Sequence, residues 1–147
     1  MMHHFVFSLD EWLGEGEIKL SMSDEPLYFM TRWKPVSSKE DPFIEYVQEV
    51  QIKGMSEISV NHFSFFEKQE KSFRINLENN TVGKVEGKGV INPDAIGWEF
   101  KNPEVHFQGY EFYEKVNDSL YKISAEYSAD GNYRTVITGK IWKKEKK

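Results

Sequence analysis

Few side chains in this sequence could carry chemistry. It has four histidines and no cysteine, so a disulfide framework, a thiolate zinc site and a cysteine nucleophile are all excluded. His62 has the most informative surroundings, Ile58-Ser59-Val60-Asn61-His62. An imidazole on a half-apolar strand face is either a core group satisfied by a neighbour or, beside a cavity, a ligand contact or an acid/base. His106, in Val105-His106-Phe107-Gln108, sits where both faces are mixed, and His3 and His4 are expected in a flexible terminus. No histidine pair or carboxylate cluster has metal-ligand spacing, so no metal is assigned. Glu45 and Glu49 share the more polar face of their segment and are expected to face solvent. There is no Gly-x-Ser-x-Gly and no supported Ser-His-Asp order, and the glycines of Gly83-Lys84-Val85-Glu86-Gly87-Lys88-Gly89 precede no helix. No catalytic residue is assigned on these grounds. Gln48 is the sharpest polar candidate, because an amide on an otherwise apolar face must find a partner. A neighbouring side chain, a buried water or a ligand would each serve.

The elements that must position these groups are strands. Short runs rich in Ile, Val, Tyr, Phe and Thr alternate with turn signals about every ten residues, while helical periodicity is almost absent after Trp12. The predicted strands cover about 14–22, 27–35, 43–53, 57–67, 73–78, 81–90, 96–100, 105–115, 120–127 and 133–143. Asn79-Asn80 suits a two-residue turn, and Asp130-Gly131 is the strongest turn signal in the chain. The connections are too short for crossovers, so sequential antiparallel pairing follows, and closure removes the edges. The fold class is therefore all-β: an up-and-down antiparallel barrel of about ten strands, one domain over residues 1–147. Ser8 and Glu11 have capping-box spacing and predict a short helical turn before Trp12.

A barrel of ten strands is wider than those that side chains fill, which predicts an internal cavity. The expected ligand-binding lining is Trp33, Tyr46, Gln48, His62, Phe73, Trp98 and Tyr121, with Ile75 beside them. Trp12 is expected to plug one end, and Arg134 or Arg32 to stack on it. The glycines of 83–89 reflect either sharp coiling of the sheet or a ligand against bare backbone.

Composition bounds the partners. The formal net charge of -5 argues against nucleic acid. No apolar run approaches the ~20 residues of a spanning helix. The first residues lack the basic start of a signal peptide, and with no cysteine a cytoplasmic protein is expected.

Trp12-Leu13-Gly14-Glu15-Gly16, the run of about ten strands and Arg134 near the end resemble the calycin superfamily of lipocalin-like barrels. The addition of Leu27-Tyr28-Phe29 and Phe43-Ile44-Glu45-Tyr46-Val47-Gln48-Glu49 is similar to the nitrobindin-type, haem-binding-like barrels. That resemblance implies a haem held by one histidine near the C-terminal strands. Residues 120–143 contain no histidine, so no cofactor is assigned and haem ligation through a proximal histidine is not expected. The resulting expectation is an intracellular barrel holding a small, largely apolar ligand. The alternatives are an enzyme using His62 as acid or base, and a non-catalytic structural or self-associating module such as a homodimer.

Overall fold

Alternation of side chains with a period of two sorts each segment into an inner and an outer face. The computed structural model describes residue 3, residues 5–129 and residues 133–145. Ten strands follow in order: β1 (Trp12–Leu20), β2 (Leu27–Pro35), β3 (Ile44–Ile52), β4 (Ile58–Phe66), β5 (Ser72–Asn79), β6 (Gly83–Asn92), β7 (Ala95–Asn102), β8 (Phe107–Asn117), β9 (Leu120–Ala129) and β10 (Tyr133–Lys143). Every strand pairs antiparallel with its sequence neighbours, and β10 returns to β1 to close the barrel. The only helical element among the described residues is a 3-10 turn, Pro103–Val105. No helix there is long and apolar enough to cross a membrane.

The closing seam depends on glycine. Gly16 and Gly139 face each other across β1 and β10, and a Cβ on Gly16 would stand 2.1 Å from the Thr138 carbonyl oxygen. The missing side chains let the two backbones approach and the sheet coil. In β6, the Phe73 ring takes the space where a Gly89 Cβ would stand, 2.0 Å away. The glycine face of β6 thus makes room for a core ring of the protein itself.

The interior has two halves. One end is packed with rings: Trp12, Trp33, Tyr46, Trp98, Tyr113 and Tyr121 are all buried. Phe5 lies at their centre, with ring centroids 4.7 Å from Tyr113, 5.2 Å from Trp33 and 5.4 Å from Trp12. Edge-on and tilted pairs of this kind add to the burial of each ring. The segment before β1 has therefore entered the barrel, and its burial holds the β-branched Val6 at φ 56, an unfavourable left-handed conformation.

This insertion corrects two expectations. His3 is buried, its Nδ1 accepting from the Tyr121 hydroxyl at 2.7 Å and its Nε2 donating to the Asn92 carbonyl at 2.6 Å. His4 lies outside the described residues. The helical turn at Ser8 is absent: Leu9 has φ 57, and the Ser8 hydroxyl donates to Asp10 Oδ2 at 2.7 Å. Burying Phe5 and Val6 outweighs one turn of helix, which is marginal by itself.

Other local expectations also change. The hairpin between β5 and β6 is a three-residue loop, 80–82, because Asn79 pairs with Gly83, which takes φ 71. The Asn79 carboxamide oxygen accepts from the backbone N–H groups of Thr81 and Val82, at 2.9 and 2.8 Å, which favours the longer turn. The Asp130-Gly131 turn lies outside the described residues. Arg134 is far from Trp12, whose partner on β10 is Lys143; its guanidinium bonds Glu126 Oε1 at 2.6 Å. Arg32 is exposed on the outer face of β2, away from the buried indole.

Candidate functional site: the open half of the barrel

The half opposite the aromatic plug contains a cavity of about 740 Å³. Its walls are mixed: Ile18 and Ile137 from the seam, Phe29 and Val50 from β2 and β3, and Leu77 and Ile123 across the barrel are apolar, while Thr31 and Thr135 are polar. Its rim is polar and is built on β3, β4 and β5.

Three side-chain amides run across that rim. Asn79 Nδ2 donates to Asn61 Oδ1 at 3.0 Å, and Asn61 Nδ2 donates to Gln48 Oε1 at 2.9 Å. The direction of the relay is set at its start. Because the Asn79 oxygen accepts from the loop backbone, its nitrogen must donate, and each following amide is turned the same way. Gln48 therefore accepts at its oxygen and keeps its Nε2 donor without a protein partner among the described residues.

Deeper in, where the cavity meets the aromatic plug, is Glu111. It is 8% exposed, yet it is flanked on the inner face of β8 by Gly109 and Tyr113. Tyr113 donates to its Oε1 at 2.5 Å, and the Tyr127 hydroxyl donates to its Oε2. Gly109 positions the second phenol: a Cβ there would stand 2.2 Å from Tyr127 Cδ1, so the ring lies flat over bare backbone. Trp98 sits directly opposite Glu111 on β7; its indole N–H favours the charged carboxylate but falls short of a hydrogen bond.

Burial nevertheless prevails, and the Glu111 carboxyl is pushed above the ordinary carboxylate range against these donors. Burial first, and then the adjacent carboxylate, push the Tyr113 and Tyr127 phenols well above their ordinary value. Among the described residues lining the cavity, Glu111 and Glu57 are the only charged ones, and none is Lys, Arg or His.

Of the residues expected to bind a ligand, Gln48 alone lines this cavity. Trp33, Tyr46, Phe73, Trp98 and Tyr121 do point inward, as does Ile75, but they fill the closed half around Phe5 instead of facing open space. The Tyr46 hydroxyl, for example, donates to the Asp10 carbonyl at 2.9 Å. His62 is a clear correction. Register places Phe63 opposite Tyr46 and Asn61 opposite Gln48, which turns His62 outward, where it is exposed. β4 is apolar on both faces, so alternation leaves its orientation open. Burying two phenylalanine rings, Phe63 and Phe65, decides it.

Asn61, Asn79, Glu111, Tyr113 and Tyr127 were not found from sequence. A signal for Glu111 existed: it is the one carboxylate on a face that otherwise reads Phe107, Gly109 and Tyr113. No group of three or more His, Asp or Glu suited to a metal ion occurs among the described residues.

No family model matches the chain, and neither does any curated protein. Solved structures that share its barrel include the following two. The S-type phycobiliprotein lyase CPES from Guillardia theta superposes with a TM-score of 0.70 at 8% identity, over 95% of this chain and 90% of that one. Rv2717c from M. tuberculosis superposes with a TM-score of 0.72 at 13% identity, over 93% and 92%. At these identities the likeness establishes the fold, a lipocalin-like ten-stranded barrel, and not an activity.

Proposed function

We propose that this chain is a small-molecule-binding barrel that takes a largely apolar ligand into the open half of its interior. The carrying observation is the cavity of about 740 Å³, lined by apolar side chains interspersed with polar ones and walled off from the opposite end by the aromatic plug. Its volume lies within the range of ligand pockets, and a few convergent polar groups on an apolar wall are what orient such ligands. The two structural neighbours support the architecture, and the cavity supports the function.

N-phenyl-1-naphthylamine, a neutral probe that brightens in apolar surroundings, tests this directly. Saturable binding of one probe per chain is expected, with affinity lost on Ala125→Phe, which fills the cavity from β9. Unsaturable brightening, or binding that survives Ala125→Phe, would overturn the reading.

The enzyme alternative loses its geometry, since His62 faces outward, away from the cavity. We expect no haem held through a proximal histidine, although the nitrobindin-type resemblance of the first strands implies one. His62 and His106 are exposed, and His3 has both ring nitrogens engaged at the closed end. Self-association has one supporting feature. Tyr28, Met30 and Met55 are more than half exposed around a depression on the outer face of β1 and β2. A monomeric mass by light scattering at high concentration would dismiss it.

A further inference from the structure

Burial of a carboxyl group with no cation beside it is costly, and such groups cluster at functional sites. Glu111 is such a group. Each of its oxygens accepts from a phenol, and neither phenol carries a positive charge. The groups that face it are Tyr113 on its own strand, Trp98 on β7 and Tyr127 on β9. The only other charge among the described residues lining the cavity is a second carboxylate, Glu57, ahead of β4. The site is therefore complementary to positive charge, and it would repel the carboxylate head of a fatty acid.

We infer that the ligand of this barrel carries a protonated amine, or an equivalent cationic nitrogen, that rests against the Glu111 carboxylate with its apolar body in the cavity. The inference deepens the binding reading above and rests on it. Tyr113 and Tyr127 hold the carboxylate in position, so the cation meets a fixed acceptor. The unpartnered Gln48 Nε2 at the rim adds a donor, which suits a carbonyl, ether or hydroxyl oxygen further along the ligand. The occupant defined by these two ends is an apolar amine with an acceptor oxygen remote from its nitrogen.

Displacement of N-phenyl-1-naphthylamine by decylamine, decanol and decanoate, all below micelle formation, isolates the charge. Decylamine is expected to compete at least about tenfold better than decanol, and decanoate worst. Glu111→Gln should bring decylamine and decanol to within about twofold of each other. The unsubstituted protein supplies a second readout that does not depend on the variant folding. Decylamine stays protonated down to about pH 4, where the Glu111 carboxyl, raised above the ordinary carboxylate range by burial, is protonated, so the advantage over decanol seen at higher pH should vanish. Equal displacement by all three compounds at about pH 8, with the probe still bound, would overturn the inference and leave the binding reading intact. So would an advantage that persists at about pH 4, or one removed by Glu57→Gln but not by Glu111→Gln. Failure of the probe to bind at all would overturn both.

Discussion

At the scale of the residue, Glu111 sets a need of the cavity against the stability of the barrel. Its folded-state carboxyl is raised above its unfolded value by burial. Below the unfolded value the group is protonated in both states, and its contribution to stability is fully present. As pH rises through the window up to the raised folded value, that contribution is lost, because the unfolded chain sheds its proton first. Glu111→Gln should therefore raise the melting temperature on the order of 5 °C at about pH 8 and leave it nearly unchanged at about pH 4. Differential scanning calorimetry at the two pH values checks this; a lowered melting temperature at about pH 8 would show the carboxylate to be a net structural gain. His3 titrates with the opposite slope. Burial lowers its folded pKa below the ordinary 6.5, so the folded state holds fewer protons. Its contribution is present above the unfolded value and declines as pH falls below about 6.5. Replacing His3 by Gln should flatten that decline in a pH series of melting temperatures.

At the scale of the element, the segment before β1 acts as an internal plug. Trp12 shares the closing of one end with Phe5, which touches five aromatic rings including Trp12. Phe5→Ala and Trp12→Ala should each cost about 3–5 kcal/mol, measured by chemical denaturation. If Phe5→Ala instead costs less than about 1 kcal/mol, the segment is not part of the folded core. The strands themselves were legible. β2 and β10 have the bounds their alternation indicates, and the remaining ends differ by a residue or two. β4 was not legible in its orientation, because Val60 and Phe66 on one side and Phe63 and Phe65 on the other give it no polar face to mark solvent.

At the scale of the whole molecule, the barrel is expected to bind hydrophobic molecules without coordinating iron by histidine. Titration with haem should give only a weak, broad Soret change, insensitive to His62→Ala and His106→Ala. A sharp band at one equivalent, abolished by either substitution, would contradict this and place a histidine at the iron. The asymmetry of the interior explains the expectation: the half that is open has no imidazole among its described lining residues, and the half with His3 is packed with rings.

By itself the sequence determined the strands, their meander and the closure of the barrel, since alternation and turn chemistry are local and repeat along the chain. It also marked Gln48 as a polar group requiring a partner. Tertiary structure decided which apolar positions enclose space and which fill it. Trp33, Tyr46, Phe73, Trp98 and Tyr121 have the alternation of cavity walls, yet they become core once Phe5 and Val6 enter from outside the sheet. It likewise decided the pairing of Glu111 with Tyr127, sixteen residues apart in sequence. Those two side chains meet because register aligns Gly109 with Tyr127 on neighbouring strands, a relation that no local pattern encodes.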